Sequence, residues 1–353
     1  MSTSAAHRPG RLPLRYLGPV VAAVVGHASC WMGGAWTLTM PVFAFAVQPL
    51  LDLIASGQPA PAGDPPIARG GWSVDALLYG LAFHHQLCFA SLFWLVAHDR
   101  LNTLGLVGGI LTLGIGAGSI GFAVAHELTH RQGRLPRVVS LWLYANMLYG
   151  TYRVEHLRGH HRRVGMREDP GTPRRGESVY RFLPRVVAGS WWHAWQLEGT
   201  RLSTLGKSRW SLGNEVLLVS VIQALAVGVV GWGLGARVLM AWLAVAVIGV
   251  VVTEIGTYVQ HYGLERPRLA DGRYAPIDAS LSWNSSGPIT QVLQLELARH
   301  SDHHLAPGRP FQHLRHLEDE PSLPGGYSGL VLLALVPPLW FQVVNPRLDA
   351  IRA

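Results

Sequence analysis

Apolar residues along this chain gather into six runs, at about 17–31, 36–54, 74–97, 101–125, 216–234 and 238–259. A helix needs roughly twenty apolar residues to cross the hydrocarbon core of a bilayer, and the runs meet or approach that length. Short polar turns join them in pairs, so the pattern predicts three helical hairpins. The remaining stretches, 126–215 and 260–353, are polar and basic and are expected to form a cap on one side. Two shorter apolar runs interrupt the cap. The run at 138–150 is too short to span and is expected to lie at the interface or re-enter. That at 327–344, broken by Pro337 and Pro338, is expected to pack under the membrane. Between 131 and 210 the chain otherwise looks basic and turn-rich. The expectation is an all-α integral membrane protein, a single membrane-embedded domain over 1–353 with six transmembrane helices.

Composition agrees. Mean hydropathy is +0.23 and charged residues make up 14%, against about 25% in soluble domains. The first run does not read as a signal peptide, because a second long run follows directly after a short glycine-containing turn. Arg8, Arg11 and Arg15 precede the first run, Arg69 follows the second, and Arg131, Arg134 and Arg137 follow the fourth. The opposite loops hold only Arg100, beside Asp99, and Arg237. By the positive-inside rule the N-terminus and the cap are cytosolic, as in a bacterial-type inner membrane. The net charge of +8 fits attraction to anionic lipid and equally the docking of an acidic redox partner. Nothing in the pattern points to nucleic acid.

Candidate chemistry lies in the cap. HELTH at 126–130, EHLRGHH at 155–161 and ARHSDHH at 298–304 place His126, His130, His156, His160, His161, His300, His303 and His304 in three short windows. With 17 histidines in 353 residues, those windows should hold roughly one by chance. Neutral imidazole is a common ligand for iron and zinc, and a spacing of four on a helix sets two rings on one face. His126 with His130 and His156 with His160 have that spacing. The adjacent pairs His160–His161 and His303–His304 point in different directions, which suits two ions, and eight imidazoles exceed the coordination of one. His84 and His85 sit inside the third run without a cluster partner and are expected to be satisfied by hydrogen bonds. Cys30 and Cys88 are the only cysteines, so the chain has no CxxC centre of its own.

Two stripes bear on a substrate path. Gly105, Gly109, Gly114 and Gly118 recur four apart within pairs in the fourth run, for close helix packing or for a passage. Met40, Ala44, Val47 and Leu51 recur at helical spacing in the second run. They either line a passage toward the cap or pack on a neighbouring helix.

The histidine segments, with QHYGLER at 260–266, ARHSDHHLAPGRPFQHLR at 298–315, GESVYRF at 176–182, WNSS at 283–286 and LPGGYSGLVLLALVPPLW at 323–340, resemble the signatures of the membrane alkane 1-monooxygenases, the alkane ω-hydroxylases. The resemblance runs from the second apolar run nearly to the end of the chain. It implies a fatty-acid-desaturase-like fold with a cytosolic, histidine-rich diiron cap. It further implies two non-haem Fe ions, O2 as co-substrate, and electrons from rubredoxin and its NADH-dependent rubredoxin reductase on separate chains. Position by position it adds His261 to the eight clustered ligands. Gln260 stands where the family usually has Glu, and Ala298 where it usually has Gln.

Chemistry supports an oxidising metal, because a terminal C–H bond offers neither acidity nor a leaving group, and zinc is redox-inert. Other readings remain open at this stage. HELTH fits the HExxH zinc metalloprotease pattern with Glu127 as general base, although that leaves the other two clusters unused. A cation transporter would place its ligands near the membrane midplane. Within the oxygenases, a hydroxylase of xylene- or cymene-like methyl groups and a fatty-acyl desaturase or hydroxylase are the near alternatives.

Overall fold

The computed structural model describes residues 12–55 and 71–352. Arg8, Arg11 and Arg69, part of the orientation argument, lie outside them. Helix α1, Gly18–Met32, follows a 3-10 turn at Leu14–Leu17. At 15 residues it rises only about 22 Å, shorter than the run expected to cross there. Among the described residues five helices are long and apolar enough to cross a membrane: α2 (Gly34–Ala55), α3 (Trp72–Ala97), α4 (Thr103–His130), α8 (Glu215–Gly233) and α9 (Ala236–His261). The chain is a multi-pass membrane protein in which the expected count of six is approximate.

The connecting cap is more helical than its sequence implied. Helix α5, Arg134–Asn146, takes up most of the short apolar run at 138–150: Leu135, Val138 and Trp142 are exposed while Leu143 and Tyr144 are buried. A helical stretch at 152–163 forms α6. Then the supposedly turn-rich stretch holds a 26-residue helix, α7, Val179–Thr204. Short helices α10 (Pro288–Leu293) and α11 (His300–Leu305) flank the last histidine cluster. Two short parallel strands, β1 (Asn284–Ser285) and β2 (Ser322–Leu323), pair Asn284 with Ser322 and pin that loop. The end of the chain forms α12 (Tyr327–Ala334) and α13 (Pro337–Arg352), bent by 119° relative to each other. Pro337 cannot donate to the preceding turn and disfavours helix at the residue before it, so the bend falls there.

Packing fixes the site from three sides. Helices α3 and α4 share a buried cluster around Leu78, Leu81, Val124 and Leu128 with α5. Helices α7, α9, α12 and α13 share another around Phe182, Tyr258, Tyr262 and Trp340. The glycine stripe of α4 serves chiefly close approach: a Cβ on Gly114 would stand 2.6 Å from Ile248 Cγ2 of α9, and one on Gly105 would stand 3.0 Å from the Gly34 nitrogen. Gly118 abuts the Gly249 carbonyl in the same way and also borders the internal cavity described below.

Candidate metal centre

HELTH ends α4 instead of following it, so His126 and His130 project from the last turns of a long helix. His261 is the last residue of α9. Helix α6 carries His156, His160 and His161, and α11 carries His300, His303 and His304. Four helix ends thus bring nine histidines into one region, each of them buried or nearly so.

They divide into two donor sets. His126, His130, His156, His161 and His303 form one, and His160, His261, His300 and His304 the other, with the donor atoms of each set within 4.8 Å of one another. The expected pairing of His156 with His160 does not occur. Residues 156–160 form a π-turn, whose i→i+5 pattern aligns His156 with His161 and sends His160 to the second set. On α11 an ordinary helical spacing keeps His300 and His304 together and turns His303 to the first set.

The spacing of the nitrogens excludes a purely hydrogen-bonded cluster. His130, His156 and His161 set their Nε2 atoms in a triangle with sides of 3.1, 3.0 and 3.3 Å. A hydrogen bond needs a protonated nitrogen facing a bare one, and three atoms of two kinds cannot alternate around a triangle. His303 Nε2 adds a contact of 3.1 Å to His161. In the second set His300 Nε2 stands 3.1 Å from both His261 Nε2 and His304 Nε2. His126 Nε2 is buried without a partner, a costly arrangement for a lone pair unless an electrophile takes it. Lone pairs converging on a common point are the arrangement of ligands around a cation, and the donor sets fit metal ions.

Outer partners orient these rings. His160 donates from Nδ1 to Asp169 Oδ2 at 2.9 Å, and His261 from Nδ1 to the Leu281 carbonyl at 3.0 Å. Both rings therefore present a bare Nε2. With Nε2 given to an ion, His156 Nδ1–H donates to the Tyr152 hydroxyl 3.1 Å away. His193 of α7 is tied to Glu155 Oε1 through Nδ1 at 3.1 Å and receives Arg163 on Nε2. Burial, reinforced by neighbouring rings, holds His156, His161, His300, His303 and His304 well below the usual imidazole range, so they are neutral and available as ligands. Burial also opposes charge on His160, but the Asp169 carboxylate outweighs it and raises that ring.

Sequence reasoning passed over Asp169, Glu155, Tyr152 and His193. Asp169 lies in a turn and His193 on the unexpected helix α7, and neither belongs to a cluster. Glu127, the base required by a metalloprotease, is committed elsewhere: Oε1 accepts from Arg131 Nε at 3.1 Å and Oε2 from the Phe311 amide at 3.2 Å. Asp302 inside ARHSDHH receives Arg309 and Arg315, which ties the following loop to α11.

A cavity of about 150 Å³ lies in the helix bundle, next to the pocket lined by the histidines. Phe122, Gln260 and Leu297 border both it and the histidine pocket, and Leu92 and Leu113 line its inner end. Phe122 to Leu113 is nine residues of α4, or about 14 Å. Met40 and Ala44 line the cavity, but Val47 and Leu51 do not and are exposed. A π-turn at Phe43–Val47 advances the stripe by one position, so Gln48 takes the place expected of Val47 at the cavity and Asp52 is buried in place of Leu51. His84 bonds to neighbours, with Nε2 3.2 Å from His27 Nδ1, and His85 packs edge-on against Phe89.

The family model for fatty acid desaturase matches residues 101–330. Alkane 1-monooxygenase 1 of Pseudomonas aeruginosa is 37% identical over 324 residues, 89% of this chain and 84% of its own. Alkane 1-monooxygenase 2 of Alcanivorax borkumensis is 32% identical over 320 residues, 89% of this chain and 83% of its own. The xylene/toluene monooxygenase hydroxylase component XylM of Pseudomonas putida is 32% identical over 339 residues, 94% of this chain and 88% of its own. With relatives of that identity spanning most of both chains, this protein is a membrane monooxygenase that carries the fatty acid desaturase domain and belongs to the alkane 1-monooxygenase family.

Proposed function

We propose that the protein hydroxylates the terminal C–H bond of a linear hydrocarbon at a diiron centre, using O2 and electrons from a rubredoxin reduced by its NADH-dependent reductase. The observation that carries the reading is the junction of an apolar cavity with the two histidine sets at Phe122, Gln260 and Leu297. Two iron ions, one in each set, would supply the redox chemistry that imidazoles and carboxylates cannot. His126, His130, His156, His161 and His303 would hold one, and His160, His261, His300 and His304 the other. Asp169, Tyr152 and the Leu281 carbonyl keep the Nδ1 side of their rings occupied, so Nε2 stays free for the ion.

The cavity supplies binding and orientation. Most of its lining side chains are apolar, and each methylene transferred from water contributes about 0.8 kcal/mol. A chain held end-on along α4 presents its terminal methyl at the Phe122 end. Leu81, Ile120 and Leu297 line the wall and keep water from competing for the oxidant. The two cysteines of this sequence, Cys30 and Cys88, do not make an iron–sulfur motif, which supports a separate electron carrier.

A second reading follows from the likeness to XylM, in which the same centre would oxidise the methyl group of an aromatic ring. The test feeds purified, iron-loaded protein a mixture of linear alkanes and methylaromatics with O2, rubredoxin and reductase. Terminal alcohols from the alkanes support the proposal, benzylic alcohols alone support the second reading, and turnover with NADH and no added carrier overturns the electron supply.

A further inference from the structure

The cavity wall holds another cluster of metal-ligating side chains, separate from the nine histidines. His27 of α1 and His84 and Cys88 of α3 all border the cavity, and one donor atom from each lies within 4.8 Å of the others. His84 and Cys88 are one helical turn apart on one face. A Cβ on Gly121 would stand 3.2 Å from His85, the neighbour of His84, and Gly121 lies five residues or about 7.5 Å along α4 from His126. Polar groups at this depth are expensive and mark functional sites, and oxidation of a hydrocarbon at the diiron centre has no use for these three.

The hydrogen bonds fix their protons. Trp31 Nε1–H, which can only donate, faces His27 Nε2 at 3.2 Å, so that nitrogen is bare and also accepts from Ser91 Oγ at 2.7 Å. His27 Nδ1 therefore carries the proton and donates to His84 Nε2 at 3.2 Å. That leaves His84 Nδ1–H facing Cys88 Sγ at 3.6 Å. One donor atom from each imidazole and the sulfur thus stay within 4.8 Å of one another, a spacing that one ion can bridge.

We propose that His27, His84 and Cys88 form a third metal site, specific for a soft monovalent cation, Cu(I). Sulfur with two imidazoles is a copper donor set, and thiolate selects soft ions over hard ones. Charge decides between copper and zinc. Cu(I) with one thiolate is neutral, whereas Zn(II) with the same ligands leaves a net positive charge in a low-dielectric region. Binding is a proton exchange with no change of oxidation state. The Cys88 thiol releases its proton to solvent, and the His27 proton passes from Nδ1 to Nε2, where Ser91 Oγ accepts it and the half-exposed Trp31 gives up its bond. The ion takes His27 Nδ1, a ring nitrogen of His84 and Cys88 Sγ. One proton leaves for each Cu(I) that enters, so the charge inside the bundle is unchanged.

The test uses the full-length, iron-loaded protein in detergent, titrated with Cu(I) under anaerobic reducing conditions against a chromophoric Cu(I) chelator. We expect one Cu(I) per chain with the iron retained, one proton released per ion, and a sulfur neighbour at about 2.2–2.3 Å by X-ray absorption, close to other thiolate–metal bonds. Cys88→Ser and His84→Gln should each weaken Cu(I) binding by more than about a hundredfold, beyond the effect of losing an outer partner, with iron content unchanged. The absorption measurement on the unsubstituted protein decides the matter even if a variant fails to fold. No copper beyond the histidine sets, copper without a sulfur neighbour, undiminished binding in a folded Cys88→Ser protein, or equally tight binding of Zn(II) would each overturn the site.

Discussion

Replacing Asp169 by Asn separates the two histidine sets. Asp169 is fully buried and accepts three bonds: His160 Nδ1–H at 2.9 Å and the Thr172 hydroxyl at 2.7 Å on Oδ2, and the Gly171 amide at 3.0 Å on Oδ1. An asparagine keeps the shape but has one oxygen. If its amide nitrogen takes the Oδ2 place, it confronts the His160 N–H. If it takes the Oδ1 place, it confronts the Gly171 amide. Either clash leaves a buried donor unsatisfied, which costs about 1–3 kcal/mol. Loss of such an outer partner typically lowers metal affinity 10–100-fold, or about 1.4–2.7 kcal/mol. His160 belongs to the four-histidine set, so that ion should be lost first while the five-histidine set keeps its own. Dialysis of the iron-loaded protein against a graded series of a weak chelator, with iron measured by elemental analysis and Mössbauer spectroscopy, should show the variant falling from about two irons per chain to one at chelator levels the parent withstands. A stable Asp169→Asn protein that retains both irons as firmly as the parent would refute the argument, as would equal loss from both sites.

Three further outcomes follow from the packing and the surface. Ala44→Trp should shift products from a mixed alkane feed toward shorter chains, each excluded methylene weakening binding by about 0.8 kcal/mol; unchanged chain-length preference in a stable variant would remove α2 from the substrate path. Gly114→Val places branched carbons where a Cβ already stands 2.6 Å from Ile248, and should destabilise the protein by about 1–3 kcal/mol, read as a lowered melting temperature in detergent; the α4–α9 contact is looser than described if melting is unaltered. Charge reversal of the exposed Arg162 and Arg167 together should raise the KM for rubredoxin and flatten its salt dependence with little change in kcat, measured by NADH oxidation coupled to product; an unaltered KM would move the docking surface elsewhere.

Which parts of this molecule could be read from sequence depends on whether a feature follows the ordinary helical period. His126 with His130 and His300 with His304 do, and each pair shares a donor set. Helix α7 was missed because its buried stripe, Val179, Phe182, Val186, Ser190, His193, Glu198 and Leu202, is helical in spacing but polar at three positions, and a search for apolar periodicity passes over it. Those polar members are there for a reason visible only in space: His193 meets Glu155, and Glu198 receives Arg158 and Arg201.

The misread stripe of α2 and the misread pairing of His156 with His160 have one physical cause. π-turns at Phe43–Val47, Ala117–Gly121 and His156–His160 each put one additional residue into a helix without breaking it, and the residues beyond are rotated relative to the face expected from a 3.6-residue period. In α2 this replaces Val47 and Leu51 by Gln48 and Asp52 on the inward face. In α6 it separates His156 from His160 and aligns His156 with His161. In α4 the turn lies immediately before Phe122 and His126, so it sets which way HELTH faces relative to the glycines that lock the helix against α9. A regular helix could satisfy the glycine contacts at Gly114 and Gly118, or the histidine set at His126 and His130, only if both happened to share a phase. The additional residue frees the two requirements from each other: the membrane half of α4 packs by its glycines, and the cap half turns independently to bring its imidazoles to the cluster.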